Sequence, residues 1–395
     1  MTDGHADAAI DLAAFGPPPA PPPVPASTRK AWLKFALTLP LFAIGGAIIG
    51  GGAARLGLRV EHLLPDVAWW WALGFAVLAT WPHIVLHEAG HALAGLARGM
   101  RPVAFGIGSL RWDRGESGWR FRRSAGVAGI SGFAALLPVG ERGLSRTDQS
   151  LYLLGGPLAN LLTAAVAFAL LPLADGTPVL AAFLLGSAAS ALLLGVANLV
   201  PFHSQGWRSD GRGLLDLARR TPDAALQRQL NQLLALNMAG VRPRDWPAEL
   251  VPQPVDGSAS PMLAVNGDIL RLSWAMDLGD ATAAAEAARH ATRRFHTLPE
   301  AFRPHLAITL AGHVARHLRD RELLAAWRPL CEGGITDLSL MRAWLDAELA
   351  ALAGDPAALA ATLASARSLL DRAPDPVTAL LLREYLDDLG QRRPG

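Results

Sequence analysis

The sequence predicts a mainly α-helical, polytopic membrane bundle of about four spans, with a small β segment and a C-terminal soluble helical domain. Three observations predict it. Hydrophobic residues make up 51% of the 395 and charged residues only 18%, too apolar a balance for an ordinary water-soluble chain. The apolar residues are gathered into runs of about 20 or more, the length that crosses a hydrocarbon core. Beyond residue 211 the pattern changes to apolar and charged positions alternating near helical spacing.

In chain order, residues 1–28 are polar and then proline-rich, through Gly16-Pro17-Pro18-Pro19-Ala20-Pro21-Pro22-Pro23. They predict a disordered, extended and solvated tail, with a docking segment for a partner as the alternative. Residues 29–211 form the membrane domain. Its first span covers 31–53, too long for a secretory leader and without a small-residue cleavage site. The second covers 67–96, with Pro82 predicted to kink it. Residues 99–125 are short, glycine-punctuated and alternating, which predicts β-hairpins. The apolar stretch from Val127 to Pro138 is too short to span and reads as re-entrant or lying on the membrane surface. The third span covers 151–173 and the fourth 178–200.

Residues 212–395 form the helical domain. Its helices turn at Leu278-Gly279-Asp280, Leu318-Arg319-Asp320 and Ala353-Gly354-Asp355. That recurrence fits either a tetratricopeptide-like stack of hairpins or a plain helical bundle.

Charge orients the spans. Arg29, Lys30 and Lys34 precede or open the first. Nine arginines, Arg98, Arg101, Arg111, Arg114, Arg120, Arg122, Arg123, Arg142 and Arg146, lie between the second and third. Arg208, Arg212, Arg219 and Arg220 follow the fourth, and the opposite side holds only Arg55 and Arg59. Both termini and the middle loop are therefore expected in the cytoplasm of a multi-pass cell-membrane protein. Arginine almost to the exclusion of lysine, with abundant Ala, Gly and Pro, points to a GC-rich genome and a bacterial inner membrane. A net charge of +2 excludes a polycation built for nucleic acid. The single cysteine, Cys331, excludes an intramolecular disulfide and a Cys-rich zinc module.

The second span ends in His87-Glu88-Ala89-Gly90-His91. On a helix, His87 and His91 sit four apart on one face, where two imidazoles can grip one Zn²⁺. Glu88 lies where it can take a proton from a water on that ion. The bland alternative is two histidines capping a membrane helix. Two further stretches sharpen the metal reading: Gly155-Gly156-Pro157-Leu158-Ala159-Asn160 in the third span, and Asn198-Leu199-Val200-Pro201 closing the fourth, followed by Ser209-Asp210-Gly211. Each brings a polar group to a membrane helix, where it is costly and by default functional.

Together these motifs, over residues 67–211, resemble the site-2 protease family, the M50-type intramembrane zinc metalloproteases. The resemblance implies that His87, His91 and Asp210 bind Zn²⁺ and that Glu88 is the catalytic general base. It implies that Asn160 helps hold substrate or the developing oxyanion. The family's Asp follows its Asn-x-x-Pro motif more closely than Asp210 follows Asn198, which leaves His203 as a competing third ligand. The expected partners are the lipid bilayer and a membrane-protein substrate, which would add an unwound strand to the β segment. No PDZ insert or CBS pair is recognisable, so the helical domain is the expected regulatory, substrate-selecting or partner-binding part. His83, one turn before His87, is either a supporting group or a helix-packing residue. The rival functions are a catalytically inactive membrane scaffold and, more weakly, a metal transporter.

Overall fold

The computed structural model describes residues 12–20, 68–115, 118–123, 132–139, 144–204, 207–254 and 260–392. The expected first span at 31–53 lies outside the described residues. Among those described, the chain is mainly helical, with one four-stranded antiparallel sheet and three helices long and apolar enough to cross a membrane.

Helix α1 runs from Ala68 to Ala97 and continues through Pro82. Pro82 has no N–H for the carbonyl of Leu78, so one rung of the ladder is missing inside an otherwise continuous helix. The helix ends at Gly99, whose φ of 76° is open to glycine, and the Met100 N–H turns back to the Gly95 carbonyl at 2.9 Å. Helix α2, Arg146–Leu170, starts on a reciprocal cap: Ser145 Oγ accepts from the Asp148 N–H and the Asp148 carboxylate accepts from the Ser145 N–H. Helix α3 is Pro178–Leu199, with proline at its first position.

The three pack through small residues. A Cβ on Gly90 of α1 would lie 2.3 Å from the Gly155 carbonyl of α2. A Cβ on Gly186 of α3 would lie 2.3 Å from the Ala72 carbonyl of α1. Both crossings are backbone against backbone, the way helices gain dispersion contact in lipid. Their outer faces are apolar: Trp69, Trp70, Trp71, Val77, Leu162 and Leu173 are all more than half exposed. An outward face of that kind suits lipid and would be a liability in water.

Between α1 and α2 lie β1 (Arg101–Ile107), β2 (Leu110–Gly115), β3 (Gly118–Arg123) and β4 (Gly132–Leu137). The sheet order is β3-β2-β1-β4, antiparallel throughout. Gly132–Leu137 is thus a strand, and the re-entrant reading of the stretch ending at Pro138 is corrected there. The run was ambiguous because a short apolar segment does not distinguish strand from buried helix; pairing with β1 decides it. Met100, Ala134 and Leu136 pack with Tyr152 and fix the sheet against α1 and α2.

After α3, the two-residue strands β5 (His203–Ser204) and β6 (Trp207–Arg208) fold the chain back on itself. Then follow α4 (Asp210–Arg219) and α5 (Pro222–Met238). The helical domain continues with α6 (Pro261–Leu278), α7 (Ala281–Arg293), α8 (Arg303–His313), α9 (Arg321–Trp327), α10 (Ser339–Leu352), α11 (Pro356–Ser368) and α12 (Pro376–Gln391). Its hairpins turn at the three expected places. Each turn supplies an aspartate, Asp280, Asp320 or Asp355, whose carboxylate accepts from the backbone N–H groups opening the next helix. Such a cap stabilises a helix by about 1 kcal/mol. A π-helical turn, Val314–Leu318, extends α8.

The expected solvated tail is corrected over residues 12–20. Leu12–Phe15 form a 3-10 turn, and Phe15, 2% exposed, joins the core of the helical domain. Burying one aromatic ring stabilises by about 1.5–3 kcal/mol, enough to localise a segment whose composition otherwise favours solvent.

The helical domain also grips the sheet. Arg120 of β3 pairs with Asp371, and Arg122 donates to the Ile335 carbonyl and to Asp113.

Candidate metal centre

The centre is built on one face of α1. His87, Glu88 and His91 are all buried, between 7% and 8% exposed, though they lie on a helix with an apolar outer face. What buries them is α2, whose Gly155-Gly156 pair lets it come close. A Cβ on Gly156 would lie 2.4 Å from His91 Nε2 and 2.7 Å from His87 Nε2. The missing side chain leaves room for the two ring nitrogens on that side.

Asp210 arrives from the other direction. It is the first residue of α4, and Ser209 pins it. Ser209 Oγ donates to the Val200 carbonyl at 2.6 Å and accepts from the Phe202 and Arg212 N–H groups. A Cβ on Gly211 would lie 1.8 Å from the Leu199 carbonyl, so only glycine lets α4 begin directly against the end of α3. The β5–β6 turn absorbs the residues that separate Asp210 from Asn198.

The donor atoms form a nearly equilateral triangle. His87 Nε2 to His91 Nε2 is 3.2 Å, His87 Nε2 to Asp210 Oδ2 is 3.3 Å, and His91 Nε2 to Asp210 Oδ2 is 3.4 Å. A tetrahedral ion with bonds of about 2.0–2.1 Å needs donors about 3.3–3.4 Å apart. The group His87, His91 and Asp210 can therefore hold a metal ion.

Charge and tautomer agree with that reading. Asp210 and Glu88 bring two carboxyl groups into one buried pocket, where a divalent cation would stabilise their ionised forms. The far nitrogen of each imidazole is also engaged. His91 Nδ1 lies 2.7 Å from the Tyr152 carbonyl, so Nδ1 carries the proton and Nε2 offers its lone pair to the triangle. Tyr152 also donates its hydroxyl to the Ala134 carbonyl at 2.7 Å, joining this support to β4.

Asn160, fully buried, meets the other imidazole: its side-chain amide lies 3.2 Å from His87 Nδ1. If His87 Nε2 is to bind a metal, Nδ1 must carry hydrogen and needs an acceptor. The amide oxygen of Asn160 has no partner in the placement with Nδ2 toward His87. Rotating the amide turns its oxygen toward the His87 Nδ1–H, and oxygen and nitrogen are assigned by such networks. Asn160 thus contacts a ligand's far nitrogen. In this structure its side chain, carried by α2, makes a positioning contact behind His87.

His203 is exposed and belongs to the β5–β6 turn, not to the donor triangle. His83 Nε2 lies 3.1 Å from Ser187 Oγ, which makes it a packing link between α1 and α3. Asn198 donates to the Leu194 carbonyl of its own helix at 2.9 Å. Glu88 sits beside the triangle, within electrostatic reach of His91, His87 and Asp210. Strand β4 passes close to it: a Cβ on Gly132 would lie 3.2 Å from Glu88 Oε1.

Sequence reasoning missed Tyr152 and Ser209. Tyr152 acts on His91 through its backbone, which carries no residue-type signal. Ser209 was legible as a serine directly before a helix starting with Asp-Gly. Comparison with family models, with curated proteins and with solved structures finds no match for this chain.

Proposed function

We propose that this chain is an intramembrane zinc metalloprotease of the site-2 type, hydrolysing peptide bonds in or near membrane segments of protein substrates. The observation that carries the reading is the triangle of His87, His91 and Asp210 with Glu88 beside it, set against membrane-length helices. Two nitrogens and one carboxylate oxygen at tetrahedral spacing favour zinc and leave a fourth position free, as catalytic zinc sites do. When bound, zinc supplies Lewis acidity, which makes hydroxide available near neutral pH and polarises a carbonyl.

The chain's own groups divide the remaining work. His87, His91 and Asp210 hold the ion. Tyr152 and Asn160 fix the two imidazoles from behind. Glu88 takes the proton of the attacking water and returns it to the leaving amine, a role worth about 10²–10⁴-fold. Strand β4 is a sheet edge bordering Glu88, suited to receive an unwound substrate strand by edge addition. The arginines of the sheet and of α4 support a centre near the cytoplasmic face of a bacterial inner membrane, with both termini in the cytoplasm.

The test combines metal analysis with cleavage. Purified wild type and His203→Ala should each carry about one zinc per chain, and Asp210→Ala should lose most of it. Glu88→Gln should keep zinc, and cells making it should accumulate uncut membrane proteins that wild type cleaves. Zinc retained with no cleavage difference between wild type and Glu88→Gln would favour an inactive scaffold. Absence of metal from carefully purified wild type would remove the reading altogether.

A further inference from the structure

Phe15 lies far along the chain from what surrounds it. Its ring sits between the His313 ring, with centroids 5.7 Å apart, and the Arg289 guanidinium, 5.6 Å from the ring centroid. Its carbonyl accepts from the Trp327 indole N–H at 2.7 Å. Three residues on, the Pro18 carbonyl accepts from His296 Nε2 at 3.0 Å. The receiving groups come from α7, the turn after it, α8 and α9, four neighbouring pieces of the helical domain. The polar reading is one-sided. Two side-chain donors address two backbone carbonyls, and Pro17, Pro18 and Pro19 offer no N–H at all.

These are the properties of a site that reads a proline-rich peptide. Polyproline is already extended before it binds and loses little freedom on docking, and its exposed carbonyls suit indole and imidazole donors. The side-chain pocket for Phe15 supplies the anchor. The exposed Pro19 and Ala20 show the segment leaving the cleft toward solvent. Nothing in this arrangement draws on the metal centre.

We propose that the helical domain carries a peptide-binding cleft for an aromatic residue followed at the second and third positions by proline. The chain's own Phe15-Gly16-Pro17-Pro18 segment is its resident, displaceable ligand. A polypeptide partner with the same pattern takes the cleft by competing with that segment. The tethered copy competes intramolecularly, so the partner must bind tightly or be locally abundant.

The test uses the full chain in detergent with a protease site inserted between Ala20 and Pro21 and a fluorophore at the N-terminus. Before cutting, anisotropy should not change on dilution. After cutting, the released segment should leave on dilution to nanomolar protein, with helix content by circular dichroism unchanged. A synthetic peptide of residues 10–20 should then rebind saturably. The Phe15→Ala peptide should bind at least about 30-fold more weakly, and Trp327→Phe in the chain should weaken the wild-type peptide about fivefold. Three results overturn the proposal. The cut segment stays bound at every dilution, its departure unfolds the helical domain, or the wild-type and Phe15→Ala peptides bind alike.

Discussion

Replacing Gly156 with alanine puts a methyl group among the metal donors. Its carbon would stand 2.4 Å from His91 Nε2 and 2.7 Å from His87 Nε2. An ordinary carbon–nitrogen contact is about 3.4 Å, so the nitrogens must retreat by about 1.0 and 0.7 Å. Metal–ligand distances tolerate about 0.2 Å, and the displacement exceeds that several times over. We expect zinc affinity to fall by at least about 10³-fold, or about 4 kcal/mol. The helix itself should not suffer from propensity, since alanine is better than glycine in a helix interior by about 0.5–1 kcal/mol. The atoms met are imidazole tips, which can swing aside. The assay is zinc content by mass spectrometry and zinc affinity by chelator competition, with circular dichroism as the fold check. Gly74→Ala is the control: it lies on the same bundle with nothing within 4 Å and should bind zinc as wild type does. Gly156→Ala protein that holds one zinc per chain at wild-type affinity would refute the packing argument.

Two further outcomes follow from particular side chains. Asn160→Leu should weaken zinc binding about 10–100-fold, while Asn160→Asp, which can only accept, should bind at least as well as wild type. Equal losses in both variants would mean that Asn160 does not accept from His87. In the helical domain, burial holds the His313 imidazole down at about 4, against 6.5 for an exposed histidine, with His317 adding to the effect. Below about pH 6.5 the unfolded chain takes up a proton that the fold refuses, so stability falls with pH down to about 4, by about 3 kcal/mol in all. Urea midpoints near pH 7 and near pH 4.5 should therefore fall further in wild type than in His313→Gln; parallel behaviour would contradict the assignment.

Much of the centre could be read from residues alone, because its signals are local. The four-residue spacing of His87 and His91 is a helix-face statement, whereas Asp210 entered only through the family resemblance, because a ligand so distant in sequence has no local spacing to give it away. The three membrane-length helices among the described residues were legible from local signals too: a long apolar run has one economical explanation. The hairpin turns of the helical domain showed as recurring aspartates because a carboxylate cap is a local contact. What stayed hidden depends on partners distant in sequence. Strand β4 looked like any short apolar run until β1 paired with it. Phe15 was masked by a composition that averages one anchoring ring with many prolines. Asn160 was identifiable as important, yet the direction its amide faces is set by α2 packing on α1. Helix α12 carried a readable start, Asp375-Pro376, and a stripe of Ala379, Leu382, Leu386 and Leu389, but its spacing falls outside the three recurring turns.

The four strands have two margins with different neighbours. At one margin Arg120 and Arg122 of β3 are held by Asp371 and Ile335. At the other, β4 borders Glu88. Three interstrand gaps of about 4.8 Å separate them, about 14 Å in total. A hydrogen-bonded ribbon that narrow is stiff along its ladder direction. Through this ribbon a tilt of the helical domain would reach the wall of the candidate metal centre.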